Sequence, residues 1–256
     1  MTIELTVVPC LSDNYAYIAK DTATGAVTLI DAPEAGPIME ALKAQDLKLD
    51  GILLTHHHDD HIAGVAEIRA RTGAKVIGAA ADRHRLPPLD VVVEPGNQIR
   101  IGSDDVQVID VSGHTVGHVA FYFPQSGMVF TGDSLMAWGC GRLFEGSPAQ
   151  MLESLRRIAA LPEGVIVCSG HEYTESNGRF ALNLEPANPA LKSRMRDTMA
   201  RRGRGEPTVP STLALEKATN PFLRADDPDL CAALGLPSTA SALDVFTKAR
   251  QAKDQF

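Results

Sequence analysis

The sequence has few cysteines and no excess of positive charge. Its cysteines lie far apart and form no CxxC pair, which excludes a zinc knuckle and a dense disulfide framework and favours reduced thiols in a cytosol. The formal net charge of -8 argues against nucleic acid as the main partner, because phosphate binding needs a positive surface. The cysteines are Cys10, Cys140, Cys168 and Cys231.

Long hydrophobic runs are also lacking near the start of the chain. The segment from Met1 to Lys20 has neither a basic region nor a continuous apolar stretch, so we expect no signal peptide and no membrane span. With 256 residues and 44% hydrophobic side chains, the chain can bury a core of one large domain, or of one medium and one small domain. A soluble cytoplasmic protein is therefore expected.

Short β-branched and aromatic runs alternate with segments of helical spacing in the first part of the chain. Strands are predicted at 3–8, 15–19, 26–30, 51–54, 75–78, 106–111, 118–123, 127–131 and 165–168. Helices are predicted at 38–47 and 62–72 and from Ser147 to about Ala160. This pattern predicts an α/β (α+β) domain over residues 1–174, with sheets covered by helices.

The composition changes after Tyr173, where strand signals disappear and basic residues become frequent. A smaller helical domain is expected over residues 175–256, with an exposed linker at 201–207. Its last helix is predicted to begin at a capping box of Ser241 and Asp244 and to run to about Lys253.

The most informative segment, residues 55–61, reads Thr-His-His-His-Asp-Asp-His and follows a predicted buried strand. On an extended loop His56 and His58 direct their rings the same way and can bind one metal ion, while Asp60 and His61 can reach a neighbouring position. Random placement would give His-x-His-x-Asp-His roughly once in a million starting positions. The segment therefore predicts a metal site.

Three further segments, at 112–118, 130–134 and 168–173, each place a candidate ligand and a glycine after an apolar run. The candidate ligands are His114, Asp133 and His171. Strand ends on one sheet edge converge, and glycine allows a sharp turn beside an ion. One shared metal centre is therefore predicted. His118, in a predicted strand, and His84, outside every motif, are not expected to be ligands.

These motifs resemble those of the metallo-β-lactamase superfamily and, within it, the glyoxalase II family of hydroxyacylglutathione hydrolases. The resemblance implies an αββα sandwich with a dinuclear metal site and a smaller C-terminal α-helical domain that binds substrate. The motifs that carry the narrower resemblance span nearly the whole chain: Asp13-Asn-Tyr15, Gly113-His-Thr-Val-Gly-His118, Cys140-Gly-Arg-Leu-Phe-Glu-Gly146, Gly170-His-Glu-Tyr-Thr174, Glu185-Pro-Ala-Asn188 and Arg250-Gln-Ala-Lys-Asp254.

Carried over to this sequence, the resemblance assigns ligands to two divalent ions. It implies that one ion is held by His56, His58 and His114. It implies that the other is held by Asp60, His61 and His171, and that Asp133 bridges the two. The catalytic residues implied are Asp133, Asp60 and His61. Zn²⁺ is the expected metal, and iron or manganese also fits histidine and carboxylate ligands.

The resemblance also implies that glutathione is held by Arg142, Phe144, Tyr173, Arg250 and Lys253. Arg250 and Lys253 are three residues apart on a predicted helix, so they share a face that suits the carboxylates of a tripeptide. The alternative is that these cations complement the helix macrodipole. Some family members carry Lys and Tyr at positions 142 and 144, so a hydroxyl contact to the substrate is missing here.

The implied reaction is hydrolysis of S-(R)-lactoylglutathione and other 2-hydroxyacylglutathiones to glutathione and D-lactate, the second step of methylglyoxal detoxification. Two metals about 3.5–4 Å apart would supply a hydroxide nucleophile for attack on the thioester and would stabilise the developing oxyanion. A thiol leaving group with a pKa of about 8.5 needs little protonation, which favours thioesters over amides. Cys140 is a competing nucleophile, but no uncommitted histidine lies beside it in sequence.

Other functions are also compatible with these residues. The same metal centre could attack a lactone, a β-lactam or a phosphodiester, although Arg250 and Lys253 argue against these substrates. A mononuclear iron dioxygenase acting on glutathione persulfide would have little use for the second set of ligands. A non-catalytic binding module would leave an open dinuclear site unexplained. We expect a small-molecule substrate, no nucleic-acid or membrane partner, and a monomer.

Overall fold

The computed structural model describes residues 2–256. The chain divides into two compact units. The first unit contains the chain up to Asp110 and the segment Val116–Gly132, and the second contains Val111–Thr115 and Asp133–Phe256.

The strands are β1 (Ile3–Cys10), β2 (Asn14–Asp21), β3 (Val27–Ile30), β4 (Gly51–Leu53), β5 (Lys75–Ala79), β6 (Val91–Val93), β7 (Gln98–Ile101), β8 (Asp104–Asp110), β9 (Val119–Phe123), β10 (Met128–Gly132), β11 (Leu135–Met136), β12 (Gly139–Cys140), β13 (Ile166–Ser169) and β14 (Ser211–Thr212). The α-helices are α1 (Ala35–Ala44), α2 (Asp59–Ile62), α3 (Val65–Thr72), α4 (Pro148–Ala159), α5 (Thr174–Leu184), α6 (Pro189–Gly203), α7 (Leu213–Thr219), α8 (Pro228–Ala233) and α9 (Ala242–Asp254). Within residues 2–256, no helix is long and apolar enough to cross a membrane.

The first unit contains a mixed sheet in the order β1-β2-β3-β4-β5-β6. Strands β1 to β3 are antiparallel and lie where the first three strands were predicted, and β3 to β6 are parallel. Parallel neighbours need crossover connections, and α1 and α3 supply two of them. Ile38 of α1 and Ile68 of α3 share a buried apolar cluster with Leu29 and Ile52 of the sheet. The carboxyl ends of β3 and β4 are thereby neighbours.

The first unit also contains four antiparallel strands in the order β10-β9-β8-β7. Phe123 and Phe130 are buried, and their rings meet edge to face with centroids 5.4 Å apart. The ring of Tyr17 in β2 also meets that of Phe130 edge to face, with centroids 5.6 Å apart. These contacts pack β10 against the mixed sheet.

The second unit is mainly helical. Two helix starts are as predicted, because capping boxes form between Ser147 and Gln150 at α4 and between Ser241 and Asp244 at α9. The short strands pair as β11 with β12 and β13 with β14, all antiparallel.

Several predicted boundaries were wrong. Helix α1 begins and ends about three residues before its predicted position, and the predicted helix at 62–72 begins only at Val65. Strands β6, β7, β11, β12 and β14 were missed because runs of two to four residues carry too little periodicity. The segment after His58 is not an extended loop, since α2 forms a helical turn there, with acidic residues at its positive end.

Candidate metal centre

The side chains predicted to bind metal fall into three groups whose ligand atoms all lie within 4.8 Å of one another. These groups are His56, His58 and His114; His56, His61 and Asp133; and Asp60, His61 and His171. Nitrogen and carboxylate oxygen donors at this spacing can hold a divalent transition metal. Every predicted ligand belongs to at least one group.

Thr55 determines which nitrogen His56 presents. The Thr55 hydroxyl donates to Asp31 Oδ2 at 2.8 Å, so it can only accept the hydrogen bond of 3.0 Å from His56 Nδ1. His56 Nε2 is then the nitrogen without a hydrogen, and it lies 3.1 Å from His58 Nδ1. Ring nitrogens this close need a cation or a proton between them. The pair therefore suits a shared metal ion.

Asp31 orients His61 in the same way. Its Oδ2 accepts a hydrogen bond of 2.8 Å from His61 Nδ1, and its Oδ1 accepts one of 2.8 Å from the Thr55 amide. His61 Nε2 is left for coordination, an arrangement usual for histidines that bind metals. Asp31 is buried with φ of 56°, in the left-handed region that side chains other than glycine rarely adopt. Such conformations cluster at functional sites.

Asp31 lies outside every motif that the sequence singles out. It follows the end of β3, which pairs in parallel with β4, the strand that leads to Thr55. The rule applied to His114, Asp133 and His171, that polar residues at neighbouring strand ends converge, would have found it.

Asn14 holds Asp60. Its side-chain amide donates to the Asp60 main-chain oxygen at 2.9 Å and to Asp60 Oδ2 at 3.0 Å. Asp60 Oδ2 also lies 3.9 Å from His61 Nε2. Asn14 belongs to the Asp13-Asn-Tyr15 motif, whose pattern alone predicts no role for its residues. The contact gives the motif a function in orienting a candidate ligand.

A single carboxylate oxygen of Asp133 faces two histidines. Asp133 Oδ2 lies 3.5 Å from His114 Nε2 and 3.2 Å from His171 Nε2. His114 Nδ1 donates to the main-chain oxygen of Arg142 at 2.8 Å, which leaves its Nε2 for a metal. Glycine at 141 is required here, because a Cβ would overlap the Asp133 carbonyl and lie 2.9 Å from His114 Nδ1.

The remaining histidines have other surroundings. His57 Nδ1 lies 3.2 Å from Asp82 Oδ2. His118 is buried immediately before β9, and its ring stacks on that of His56 with centroids 4.5 Å apart. His84 is exposed. None of these histidines belongs to the metal-ligand groups found within residues 2–256.

The two aromatic residues predicted to contact substrate each touch a candidate ligand. Tyr173 stacks on His171 with ring centroids 4.6 Å apart and an interplanar angle of 7°. Phe144 presents its ring to His114 at 5.3 Å, and its main-chain amide donates to the His114 carbonyl at 3.2 Å. Phe144 is 63% exposed. Both rings can therefore meet a bound molecule as well as the histidine.

The three basic residues predicted to bind substrate, Arg142, Arg250 and Lys253, line one cavity of about 650 Å³. Its basic residues outnumber its acidic residues, so it favours an anionic ligand. The basic residues are Arg142, Arg179, Arg202, Arg250 and Lys253, and the acidic residues are Glu172, Glu175 and Asp254. Arg250 and Lys253 both belong to α9 and both reach this cavity, as their spacing predicted.

Lys253 is held over two aromatic rings. Its ammonium lies 5.4 Å from the ring centroid of Phe180 and 5.3 Å from that of Phe256, and it donates to the Ser176 carbonyl at 3.4 Å. Burial is the main cause that lowers the pKa of Lys253, and the nearby charges of Arg250 and Arg142 lower it further against an opposing effect of Asp254.

Arg250 is only 4% exposed. Its guanidinium donates to the Cys140 carbonyl at 3.0 Å and to Asp254 Oδ1 at 2.7 Å, and it lies 5.1 Å from the ring centroid of Phe222. The helical spacing of Arg250 gave no indication of these contacts. Its part in substrate binding stays a prediction, whereas its contact with the main chain at Cys140 is a feature of the fold.

Cys140 is poorly suited to be a nucleophile. Burial raises the pKa of its thiol to about 11, although the charge of Arg250 and a hydrogen bond from it act in the opposite direction. A buried thiol with such a pKa is protonated near neutral pH, and the thiolate is the reactive form. All four cysteines are free and buried.

Two family models together match most of the chain. The model of the metallo-β-lactamase superfamily matches residues 12–171, and the model of the hydroxyacylglutathione hydrolase C-terminus matches residues 172–256. The hydroxyacylglutathione hydrolase of Rhodobacter capsulatus is 59% identical over 256 residues, which is 100% of both chains.

Solved structures confirm the predicted fold class. The BLEG-1 B3 metallo-β-lactamase matches with a TM-score of 0.67 at 23% identity, over 86% of this chain and 99% of its own. TTHA1623, solved in a di-iron-bound form, matches with a TM-score of 0.60 at 28% identity, over 86% of this chain and 100% of its own. The fold is thus that of the metallo-β-lactamases, and the chain belongs to the hydroxyacylglutathione hydrolase family within that superfamily.

Proposed function

We propose that this chain hydrolyses the thioester of S-(R)-lactoylglutathione and of other 2-hydroxyacylglutathiones, and that it releases glutathione and D-lactate in the second step of methylglyoxal detoxification. The observation that carries the proposal is the set of three ligand groups, in each of which the donor atoms lie within 4.8 Å of one another. The name of the Rhodobacter capsulatus relative, 59% identical over its full length, supports the same activity.

The donor atoms fit two divalent ions. His56, His58 and His114 would hold one ion, Asp60, His61 and His171 the other, and Asp133 would bridge them. The outer nitrogens of His56, His61 and His114 are hydrogen-bonded to Thr55, Asp31 and the Arg142 carbonyl, which leaves the inner nitrogens for metal. Zn²⁺ suits this donor set, and iron and manganese fit it as well. TTHA1623 binds two irons on a related fold.

Two divalent ions in this centre would provide a nucleophile from water at neutral pH and would polarise the thioester carbonyl. The protein residues supply orientation. Asp133 directs a carboxylate oxygen towards His114 and His171 and can accept a hydrogen bond from the attacking water. Asp60 and His61 would help to hold one of the ions. Because Asp31 and Thr55 already hold the imidazoles in place, little reorganisation is needed during the reaction.

No general acid is required for the departing sulfur. A thiol has an ordinary pKa of about 8.5, so glutathione can leave as a thiolate. This property separates thioesters from amides, whose nitrogen must be protonated before it leaves. We therefore expect amides of glutathione to be hydrolysed far more slowly than the matched thioesters.

Glutathione would be bound in the cavity of about 650 Å³. Arg142 and Lys253 would contact its carboxylates, and Arg250 would add positive charge beneath them. Tyr173 and Phe144 lie on candidate ligand rings and would flank the part of the substrate that carries the thioester. A lactonase, a β-lactamase or a phosphodiesterase would have little use for these cations. A mononuclear persulfide dioxygenase would leave Asp60 and His171 without a function.

The domain boundary, the location and the oligomeric state of the protein are proposed on separate grounds. We place the domain boundary at 174/175, because the last candidate metal ligand precedes it and the helices that line the cavity follow it. Free, buried cysteines support a cytoplasmic location. A monomer is proposed, since the ligand groups and the cavity are built from residues of one chain. Light scattering would test the last point directly.

The decisive experiment measures thiol release from S-(R)-lactoylglutathione by the purified protein as isolated, after chelator treatment, and after restoration of Zn²⁺, iron or manganese. We expect fast release that chelation abolishes and metal restores. Metal-replete protein that leaves the thioester intact but opens a lactone would contradict the proposed substrate and retain the metal centre. Oxygen consumption with glutathione persulfide and one metal per chain would support the dioxygenase instead.

A further inference from the structure

A short hairpin, β11 with β12, connects Asp133 to Arg142. Side chains of the C-terminal helical segment hold its main chain at successive positions. Glu216 Oε2 accepts from the Trp138 amide at 2.8 Å. Asn220 Nδ2 donates to the Met136 carbonyl at 3.1 Å and to the Gly139 carbonyl at 2.9 Å. These hydrogen bonds join residues that lie 78 to 84 positions apart in the sequence.

Two further side chains also donate hydrogen bonds to the main chain of the hairpin. Asn177 of α5 donates to the Ala137 carbonyl at 3.1 Å. Arg250 of α9 donates to the Cys140 carbonyl at 3.0 Å. The two strands of this hairpin have only two residues each, and much of the main chain between them bonds to distant side chains. The helices that carry these side chains therefore set the position of the hairpin.

A buried ion pair reinforces the hairpin at its tip. Glu216 is fully buried and pairs with Arg194 through both carboxylate oxygens, and the Arg194 guanidinium lies 4.8 Å from the ring centroid of Trp138. Trp138 has φ of 62°, which requires a fixed environment. A Cβ at position 178 would lie 2.5 Å from the Trp138 ring, so Gly178 lets the indole reach this place. Loss of either partner would leave an uncompensated buried charge, so Glu216 and Arg194 hold each other in place.

The hairpin leads directly into the candidate metal centre at both ends. Asp133, whose Oδ2 faces two histidines, lies two residues before it. The Gly141 amide, one residue after it, donates to the Ser134 carbonyl at 3.1 Å, and the Arg142 carbonyl accepts from His114 Nδ1. A shift of the hairpin would therefore move both the Asp133 carboxylate and the Arg142 carbonyl that accepts from His114.

We infer that Asn220 and Glu216 are positioning residues of the metal centre, although they touch no metal ligand. They hold the hairpin of residues 135–140 from the C-terminal helical segment, so that Asp133 and the Arg142 carbonyl keep their orientation. The helical segment then supports metal binding in addition to its proposed contacts with substrate. This inference rests on the proposed metal centre, but it does not depend on the identity of the substrate.

The test compares two substitutions of the same kind. Asn220 caps the helical turn that begins at Pro221 and accepts from the Phe222 amide, and Asn188 caps α6 and accepts from the Ala190 amide. Serine keeps such a cap in both Asn220→Ser and Asn188→Ser. Only the change at 220 removes donors to the hairpin, so Asn188→Ser is the matched control.

The measurements are the affinities for Zn²⁺ and Co²⁺ by chelator competition, and the absorption spectrum of the cobalt-loaded protein. We expect Asn220→Ser to lose about tenfold or more in affinity, a loss typical of residues behind the ligands, and to change the cobalt spectrum. Asn188→Ser should keep both. A general loss of stability would leave the cobalt spectrum of the folded protein unchanged, so the spectrum separates positioning from folding.

Thermal unfolding of each variant tells whether it folds, and Asn177→Ser serves as a second probe that removes the contact with Ala137 if Asn220→Ser does not fold. Wild-type affinity and spectrum in whichever of these variants folds would overturn the inference. A wild-type protein that binds no metal would contradict the proposed centre and this inference together. Failure of thioester hydrolysis alone would contradict the proposed substrate and leave the metal measurements valid.

Discussion

The His114 imidazole donates from Nδ1 to the main-chain oxygen of Arg142 over 2.8 Å. The side chain of Arg142 lines the cation-rich cavity. One residue thus orients a candidate metal ligand with its backbone and offers a positive charge to the cavity with its side chain. The two contributions can be separated by mutation, because substitution of the side chain keeps the carbonyl.

We expect Arg142→Met to raise KM for S-(R)-lactoylglutathione about tenfold, equivalent to about 1.4 kcal/mol, with metal content unchanged. The methionine retains much of the side-chain volume and removes the charge. Steady-state kinetics and elemental analysis of the same preparation provide the measurement. A variant that lost metal would indicate that the side chain also supports His114.

Asp133→Ala should remove both metal ions together, because Asp133 Oδ2 faces His114 and His171 at once. Asp60→Ala should mainly weaken the ion held with His61 and His171. Metal content per chain, measured by elemental analysis after dialysis, distinguishes the two variants. Full metal content in Asp133→Ala would overturn its assignment as the bridge.

Asp31→Asn should lower metal affinity by about 10- to 100-fold, as is typical when a partner of a metal-binding histidine is altered. The amide can no longer accept from both His61 and Thr55 as a carboxylate does. Asp104→Asn is the control, since Asp104 is also buried and accepts a hydrogen bond of 2.9 Å from the Ser126 amide. Asp104 belongs to none of the ligand groups found within residues 2–256. Chelator competition is the measurement. Equal affinities in the two variants would show that Asp31 only stabilises the fold.

Lys253 is the residue expected to make KM depend on pH. Because burial and the neighbouring cations lower its pKa, Lys253 loses its charge at a lower pH than an ordinary lysine. If it binds a substrate carboxylate, KM should be constant near neutral pH and should rise as the pH increases through this lowered pKa. Lys253→Arg should remove that rise, because a guanidinium stays protonated there.

The control for the lysine is Lys217→Ala, at a partly buried residue that pairs with Glu163 at 3.6 Å. It should keep the alkaline KM profile of the wild type. Rates without enzyme are subtracted at each pH, since thioesters hydrolyse in alkali. The same alkaline rise in Lys253→Arg as in the wild type would assign the titration to another group.

Phe144→Tyr should lower KM about two- to fivefold with little change in kcat. The exposed ring already lies against His114, and an added hydroxyl can supply one hydrogen bond to the substrate, which contributes about 0.5–1.5 kcal/mol. Phe144→Leu, which removes the ring, should raise KM. A tyrosine variant with unchanged KM would mean that the hydroxyl does not reach the substrate.

The sequence by itself determined the features that depend on neighbours along the chain. The spacing of His56 and His58 predicted that their rings converge, and their facing nitrogens lie 3.1 Å apart. Ser147 as an N-cap followed by Pro148 predicted the start of α4, and the capping box of Ser241 and Asp244 predicted the start of α9, because each cap involves groups within three residues of one another. Local interactions of this kind leave a pattern that can be recognised in the sequence.

Only the tertiary structure decided the contacts that orient these groups. Asp31 reaches Thr55 across 24 residues because β3 and β4 pair in parallel, and Glu216 reaches Trp138 across 78 residues. Arg250 has the helical position that the sequence predicted, but its contact with the Cys140 carbonyl depends on how α9 packs. The physical reason is that sheet register and helix packing are set by the sum of many distant contacts, so no local pattern records which side chains they bring together.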